Sequence, residues 1–229
     1  MYFHSSYLIL IPGMILMFWA QHRVKATYEK YAEIQSSLGM TGAQVAKTIL
    51  QRMDIHYVIV EQVEGELTDH YDPSAKAVRL SESVYASSSL AAAAIAAHEC
   101  GHVLQDVRGY QFMNIRASLV PVANIGANFG PIMVMAGLFL GSLGGLSTVF
   151  INLGIILFAG AILFHIVTLP VEFDASSRAL RLIDELGILQ GEENRGARSV
   201  LNAAAWTYVA TAIYAALQLV QLLLMRGDR

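Results

Sequence analysis

His98-Glu-Cys-Gly-His102 sets two imidazoles four residues apart, with a carboxylate directly after the first. On a helix that interval places both rings on one face, where they can share one metal ion. Glu99, beside them, can take a proton from a water at that metal. Zinc suits such a set, because it accepts imidazole and carboxylate ligands, acidifies water toward neutral pH and polarises a carbonyl under attack. Two histidines leave the shell short, since a catalytic zinc needs a third protein ligand and an open position for water. Glu172 is the candidate, and Asp174 is its rival. Asp174 is shorter and points to another side of its helix, where its alternative role is to stabilise the helix dipole from the first turn.

The elements that must position these groups are dominated by apolar sequence. The 229 residues are 55% hydrophobic and 14% charged, with mean hydropathy +0.49, too apolar for an ordinary soluble domain of this size. Four long runs, Tyr2 to Ala20, Ala117 to Gly141, Thr148 to Leu169 and Trp206 to Met225, carry no Lys, Arg, Asp or Glu. Each approaches the roughly 20 residues that span a bilayer as a helix. The first run resembles a secretory signal, but no Lys or Arg precedes it and its apolar stretch is longer than a signal core, so it reads as a retained helix. A net charge of -3 without a basic cluster excludes a nucleic-acid partner. Cys100 is the single cysteine, so no internal disulfide forms.

Nine Lys and Arg lie between Gln21 and Arg116, four between Pro170 and Asn202, and two after Met225. Positive charge tends to stay cytoplasmic, which puts the two large polar segments on that face and the N-terminus, the Gly141 to Gly145 turn and the C-terminus outside. Arg226 and Arg229 then sit on the disfavoured side. The second run carries Gly126 with Gly130 and Gly137 with Gly141 at a spacing that lets helices approach closely, either for a dimer or for packing against the third run. Asn124, Asn128, Asn152 and His165 should face protein rather than lipid.

In the polar parts, Arg23 to Leu38 reads as a helix ended by Gly39, and Thr41 with Gln44 forms a capping box opening a helix through Met53. His56 to Val63 is strand-like, and Leu67 to Tyr71 and Ala77 to Leu80 form a hairpin around Asp72-Pro-Ser74. Ser87 to Ser89 can cap the helix Leu90 to Gln105, which carries the two histidines. Pro170 heads a separate helix bearing Glu172. The expected fold is a mainly α membrane protein with about four transmembrane helices and a small α+β, zincin-like cytoplasmic unit. Its segments are 1–20, transmembrane helix 1; 21–116, the α+β part; 117–169, a transmembrane hairpin; 170–202, a cytoplasmic helix with the third ligand; and 203–229, transmembrane helix 4 and tail. That hairpin leaves the cytoplasmic face after His102 and returns to it just before Glu172.

These motifs, with His70-Tyr-Asp-Pro73, Val78-Arg-Leu-Ser-Glu82 and Leu169-Pro-Val-Glu-Phe-Asp-Ala-Ser-Ser-Arg-Ala-Leu180, resemble the bacterial membrane-bound neutral zinc metallopeptidases of the YugP type over nearly the whole chain. More distantly the chain is similar to the HtpX-like heat-shock and prenyl-protein membrane peptidases. In those a Glu supplies the third ligand and an Asp four residues on supports the site. Here that position is Ser176, so support falls to its hydroxyl, to Asp174 or to neither. The resemblance implies a multi-pass protein of the bacterial plasma membrane, a bound Zn²⁺ and hydrolysis of peptide bonds in a protein or peptide substrate.

Negative charge builds on the carbonyl oxygen during amide hydrolysis, and Arg178 and Tyr208 are candidate donors to it. Their alternatives are a salt bridge and an interfacial aromatic. His165, near the end of the third run, is a candidate support for the metal site. The strand Ala77 to Leu80 could pair with an extended substrate. Cys100 points away from the histidine face and reads as a packed thiol, and His56 and His70 read as strand or surface residues. Two rivals stand beside the peptidase reading: an intramembrane peptidase, disfavoured by charged residues flanking the short apolar stretch Leu90 to Ala97, and a zinc-stabilised scaffold or assembly factor, which would not need Glu99. A regulatory membrane partner or a homo-oligomer would restrain such an activity.

Overall fold

The computed structural model describes residues 5–141 and 144–227. Tyr2 and Arg229, and Ser142 within the Gly-rich turn, lie outside the described residues. A short 3-10 segment, Ser5–Ile9, leads into α1 (Leu10–Ala32), followed by α2 (Gly42–Arg52), β1 (Ile59–Val63), β2 (His70–Asp72), β3 (Ala77–Ser81), α3 (Glu82–Tyr85), α4 (Leu90–Val107), α5 (Gln111–Phe139), α6 (Gly145–Glu185) and α7 (Glu192–Gly227). The chain is a mainly α membrane protein with a small α+β unit. It divides into two compact units, Met1–Ala20 with Gln111–Pro170 and Thr207–Arg229, and Gln21–Tyr110 with Val171–Trp206.

The first unit draws on α5 and on parts of α1, α6 and α7, and each of these four helices is long and apolar enough to cross a bilayer. Phe18 and Phe139 stand 69% and 83% exposed, an arrangement suited to hydrocarbon and not to water. The glycine stripe of α5 is filled from within the chain. A Cβ on Gly126 would lie 2.1 Å from Leu157 O, and one on Gly137 would lie 2.9 Å from Ser147 O, so α6 occupies the face that a dimer would need. Of the two alternatives for that stripe, packing of α5 on α6 is the one seen at Gly126 and Gly137. Asn124 and Asn128 are exposed on α5, contrary to expectation. Asn128 Nδ2 donates to Asn124 O over 2.8 Å, so the helix's own backbone satisfies it and a protein neighbour is not required.

The second unit is built from local signals. Thr41 accepts from the Gln44 amide while the Gln44 side chain accepts from the Thr41 amide, a complete capping box. The buried face of α2, Val45, Ala46, Ile49 and Leu50, follows helical spacing. Ser89 caps α4 by accepting from Ala92 N at 3.2 Å. Asp72 Oδ1 accepts from Ser74 N and Ala75 N and shapes the hairpin turn, and Asp106 on α4 holds that hairpin through Tyr71 Oη at 2.6 Å and Lys76 Nζ at 2.5 Å.

The sheet order is β1-β3-β2, with β1 parallel and β2 antiparallel to β3. Because β3 lies between β1 and β2 and is paired on both edges over Ala77 to Arg79, it is not an open edge for an added substrate strand, and that expectation is corrected. Two helix boundaries are also corrected. No separate helix covers Arg23 to Leu38: α1 runs without a break to Ala32, and the chain then turns so that Ile34 O accepts from Leu90 N at 2.8 Å. Nor does Pro170 start a helix; α6 is continuous through it. Proline removes one backbone donor, a loss that packing on both sides of the residue can absorb.

Candidate metal centre

The site lies within the second unit and starts from α4, whose first turns, Leu90 to Ala97, are alanine-rich and almost wholly buried. Small side chains let the helix run through the middle of the unit. One turn apart on it, the His98 and His102 rings meet edge to face with centroids 4.7 Å apart. Glu172 is buried, and its Oε2 stands 3.3 Å from His98 Nε2 and 3.6 Å from His102 Nε2. Ligand atoms from all three residues lie within 4.8 Å of one another. Ligands about 2.0–2.1 Å from a tetrahedral zinc would stand roughly 3.4 Å apart, and the two carboxylate–imidazole separations match that figure. The donor set fits as well, with two imidazole nitrogens and one carboxylate oxygen converging. Burial works to lower the His102 pKa, yet the facing carboxylates of Glu172 and Glu99 outweigh it and raise the value. The pocket thus attracts positive charge.

Gly101 brings the third residue in. A Cβ there would lie 2.4 Å from Ala175 O, so only glycine lets the α6 backbone come this close, and Glu172 sits one turn earlier on that helix. Gly101→Ala should force the helices apart, lowering stability by about 1–3 kcal/mol and weakening zinc binding in the same variant. Thermal unfolding and zinc titration of the purified protein check this.

Glu99 is buried, and that burial pushes its carboxyl above the ordinary range against the pull of His98 and His102. It is not among the clustered ligand atoms. Asp69, also raised by burial, accepts from Ser81 N at 2.8 Å and lies near enough for its charge to bear on Glu99. Cys100 points the other way, its buried Sγ 3.7 Å from Ala46 O. His70 and His56 are exposed, against Thr68 O and Asp54.

Around the three central groups, the structure brings together several of the predicted supporting residues. Ser176 Oγ is 3.1 Å from His98 Nδ1. Asp174 is turned away from the imidazoles toward Arg178, whose Nε donates to Asp174 Oδ2 at 2.6 Å. The Arg178 guanidinium also lies over the Tyr110 ring, so it is engaged as an ion-pair and stacking group. His165 lies edge-on to Phe164, and it and Tyr208 belong to the first unit. Gln105 was missed. It lies fully buried between His102 Nδ1, 2.9 Å away, and Asp174 Oδ2, 2.8 Å away. Its position, one turn after His102 on the same face, was the available signal.

Residues 6–227 match the family described as "Putative neutral zinc metallopeptidase". The chain belongs to this family. A curated relative, "Putative membrane protease YugP" of Bacillus subtilis (strain 168), is 43% identical over 217 residues, covering 95% of this chain and 94% of the relative. No solved structure matches. The family name carries zinc, and the clustered His98, His102 and Glu172 are where this member could hold it.

Proposed function

We propose that the protein is a membrane-integrated zinc endopeptidase in which His98, His102 and Glu172 hold the metal and Glu99 is the general base. The observation that carries this reading is the convergence of three ligand atoms within 4.8 Å beside a buried carboxylate that is not one of them. A purely structural metal has no use for such a neighbour. When bound, zinc would supply Lewis-acid chemistry, acidifying water and polarising the scissile carbonyl. Glu99 takes the proton of the attacking water as its oxygen bonds to the carbonyl carbon, and passes it to the amine nitrogen as the C–N bond breaks. Ser176, beside His98, helps to orient that ring.

The distribution of Lys and Arg supports an active site on the cytoplasmic side of a bacterial plasma membrane, with four spans crossing it. Substrates are then proteins or peptides reaching that face, and a partner protein or self-association would restrain the activity. The test is made on full-length protein in detergent, with zinc counted and unfolded membrane proteins offered as substrates. One zinc per chain is expected, with cleavage abolished by chelator and restored by zinc. Zinc retained without cleavage of any substrate would overturn the enzyme reading in favour of a scaffold.

A further inference from the structure

We infer that Gln105 is a positioning residue for the metal site: it holds His102 in the tautomer that presents Nε2 to the metal, and it ties that histidine to the helical turn bearing Glu172. The inference rests on the reading of His98, His102 and Glu172 as metal ligands.

A carboxamide has an oxygen that only accepts and a nitrogen that only donates. In Gln105 the nitrogen donates to Val171 O at 2.7 Å and to Asp174 Oδ2 at 2.8 Å. Neither partner has a proton to give, since one is a backbone carbonyl and the other a carboxylate paired with Arg178. Turning the amide over would set its oxygen against two oxygens, so its neighbours dictate its orientation. The oxygen therefore faces His102 Nδ1, 2.9 Å away. Because that oxygen can only accept, Nδ1 must carry the proton, which leaves the Nε2 lone pair free on the side of Glu172. His98 has no such lock, because the Ser176 hydroxyl beside its Nδ1 can donate or accept.

The same side chain crosses from α4 to α6 and grips the carbonyl of Val171, the residue before Glu172. Orientation of one ligand and placement of another thus depend on a single buried amide with 0% exposure. The Asp174 charge, fixed by Arg178, polarises the amide and strengthens its acceptor end.

The test combines one measurement on wild type with two variants. In ¹⁵N-histidine NMR of the zinc-free protein, with its imidazoles neutral, His102 should be protonated at Nδ1; protonation at Nε2 would overturn the inference. Gln105→Leu should weaken zinc binding about 10- to 100-fold in competition with a chromophoric chelator. Gln105→Glu still accepts from Nδ1 but sets oxygens against Val171 O and Asp174. It should lose thermal stability while binding zinc more tightly than Gln105→Leu. A merely structural role would make affinity follow stability, and that result, or unchanged affinity in Gln105→Leu, would also overturn the inference. If wild type binds no zinc, the ligand reading fails, and the NMR result still decides the tautomer.

Discussion

Replacing Glu99 by Gln is expected to lower peptide hydrolysis by about 10²- to 10⁴-fold, the usual share of a general base, while the zinc content of the protein stays the same. Zinc is retained because the Glu99 oxygens are not among the clustered ligand atoms. The fold is retained because Gln has nearly the same shape, and a buried carboxylate raised in pKa by desolvation is not what holds α4 in place. Side-by-side metal analysis, thermal unfolding and a cleavage assay check the three parts. A variant that keeps both metal and cleavage rate would move the general base to another residue, with Asp69, whose charge bears on Glu99 and which is not among the clustered ligand atoms, the carboxyl to consider.

The second large effect is expected at the third ligand. Glu172→Ala removes the oxygen that faces both Nε2 atoms and leaves two imidazoles to hold the ion. Loss of a supporting residue behind a ligand already costs about 10- to 100-fold in affinity, so loss of a ligand should exceed about 100-fold. Asp174→Ala should fall within that smaller range, because Asp174 acts through Gln105 and is already paired with Arg178. Zinc titration of the two variants separates the carboxylates. Full zinc binding in Glu172→Ala with none in Asp174→Ala would reverse their roles.

Features that depend on neighbours in sequence were legible from sequence. A cap is a contact between residues three apart, so Thr41 with Gln44 and Ser89 marked where α2 and α4 begin. The Asp72-Pro-Ser74 turn marked the hairpin, the four-residue interval put two imidazoles on one face, and uncharged runs marked the helices that suit a bilayer. Helix lengths were less legible, because a change from apolar to charged residues reports a change of surroundings while backbone hydrogen bonding continues across it. So α1 passes beyond Ala20, α6 passes through Pro170, and α7 starts at Glu192, well before the fourth apolar run.

Long-range pairing belonged to the tertiary structure alone. The parallel register of β1 on β3, which closes the edge once open to a substrate strand, joins segments with no local signal between them. Sequence could name Glu172 and Asp174 as rivals, but it could not rank them by contact. The close approach of Ala175 to Gly101 turns one carboxylate to the imidazoles and the other to Arg178 and Gln105. Residue types and helical spacing were sufficient to state which atoms can bind a metal. Which of them converge, and which amide holds a ring in the binding tautomer, was decided by packing between helices whose contacting residues lie about seventy positions apart, a distance over which local propensity carries no information.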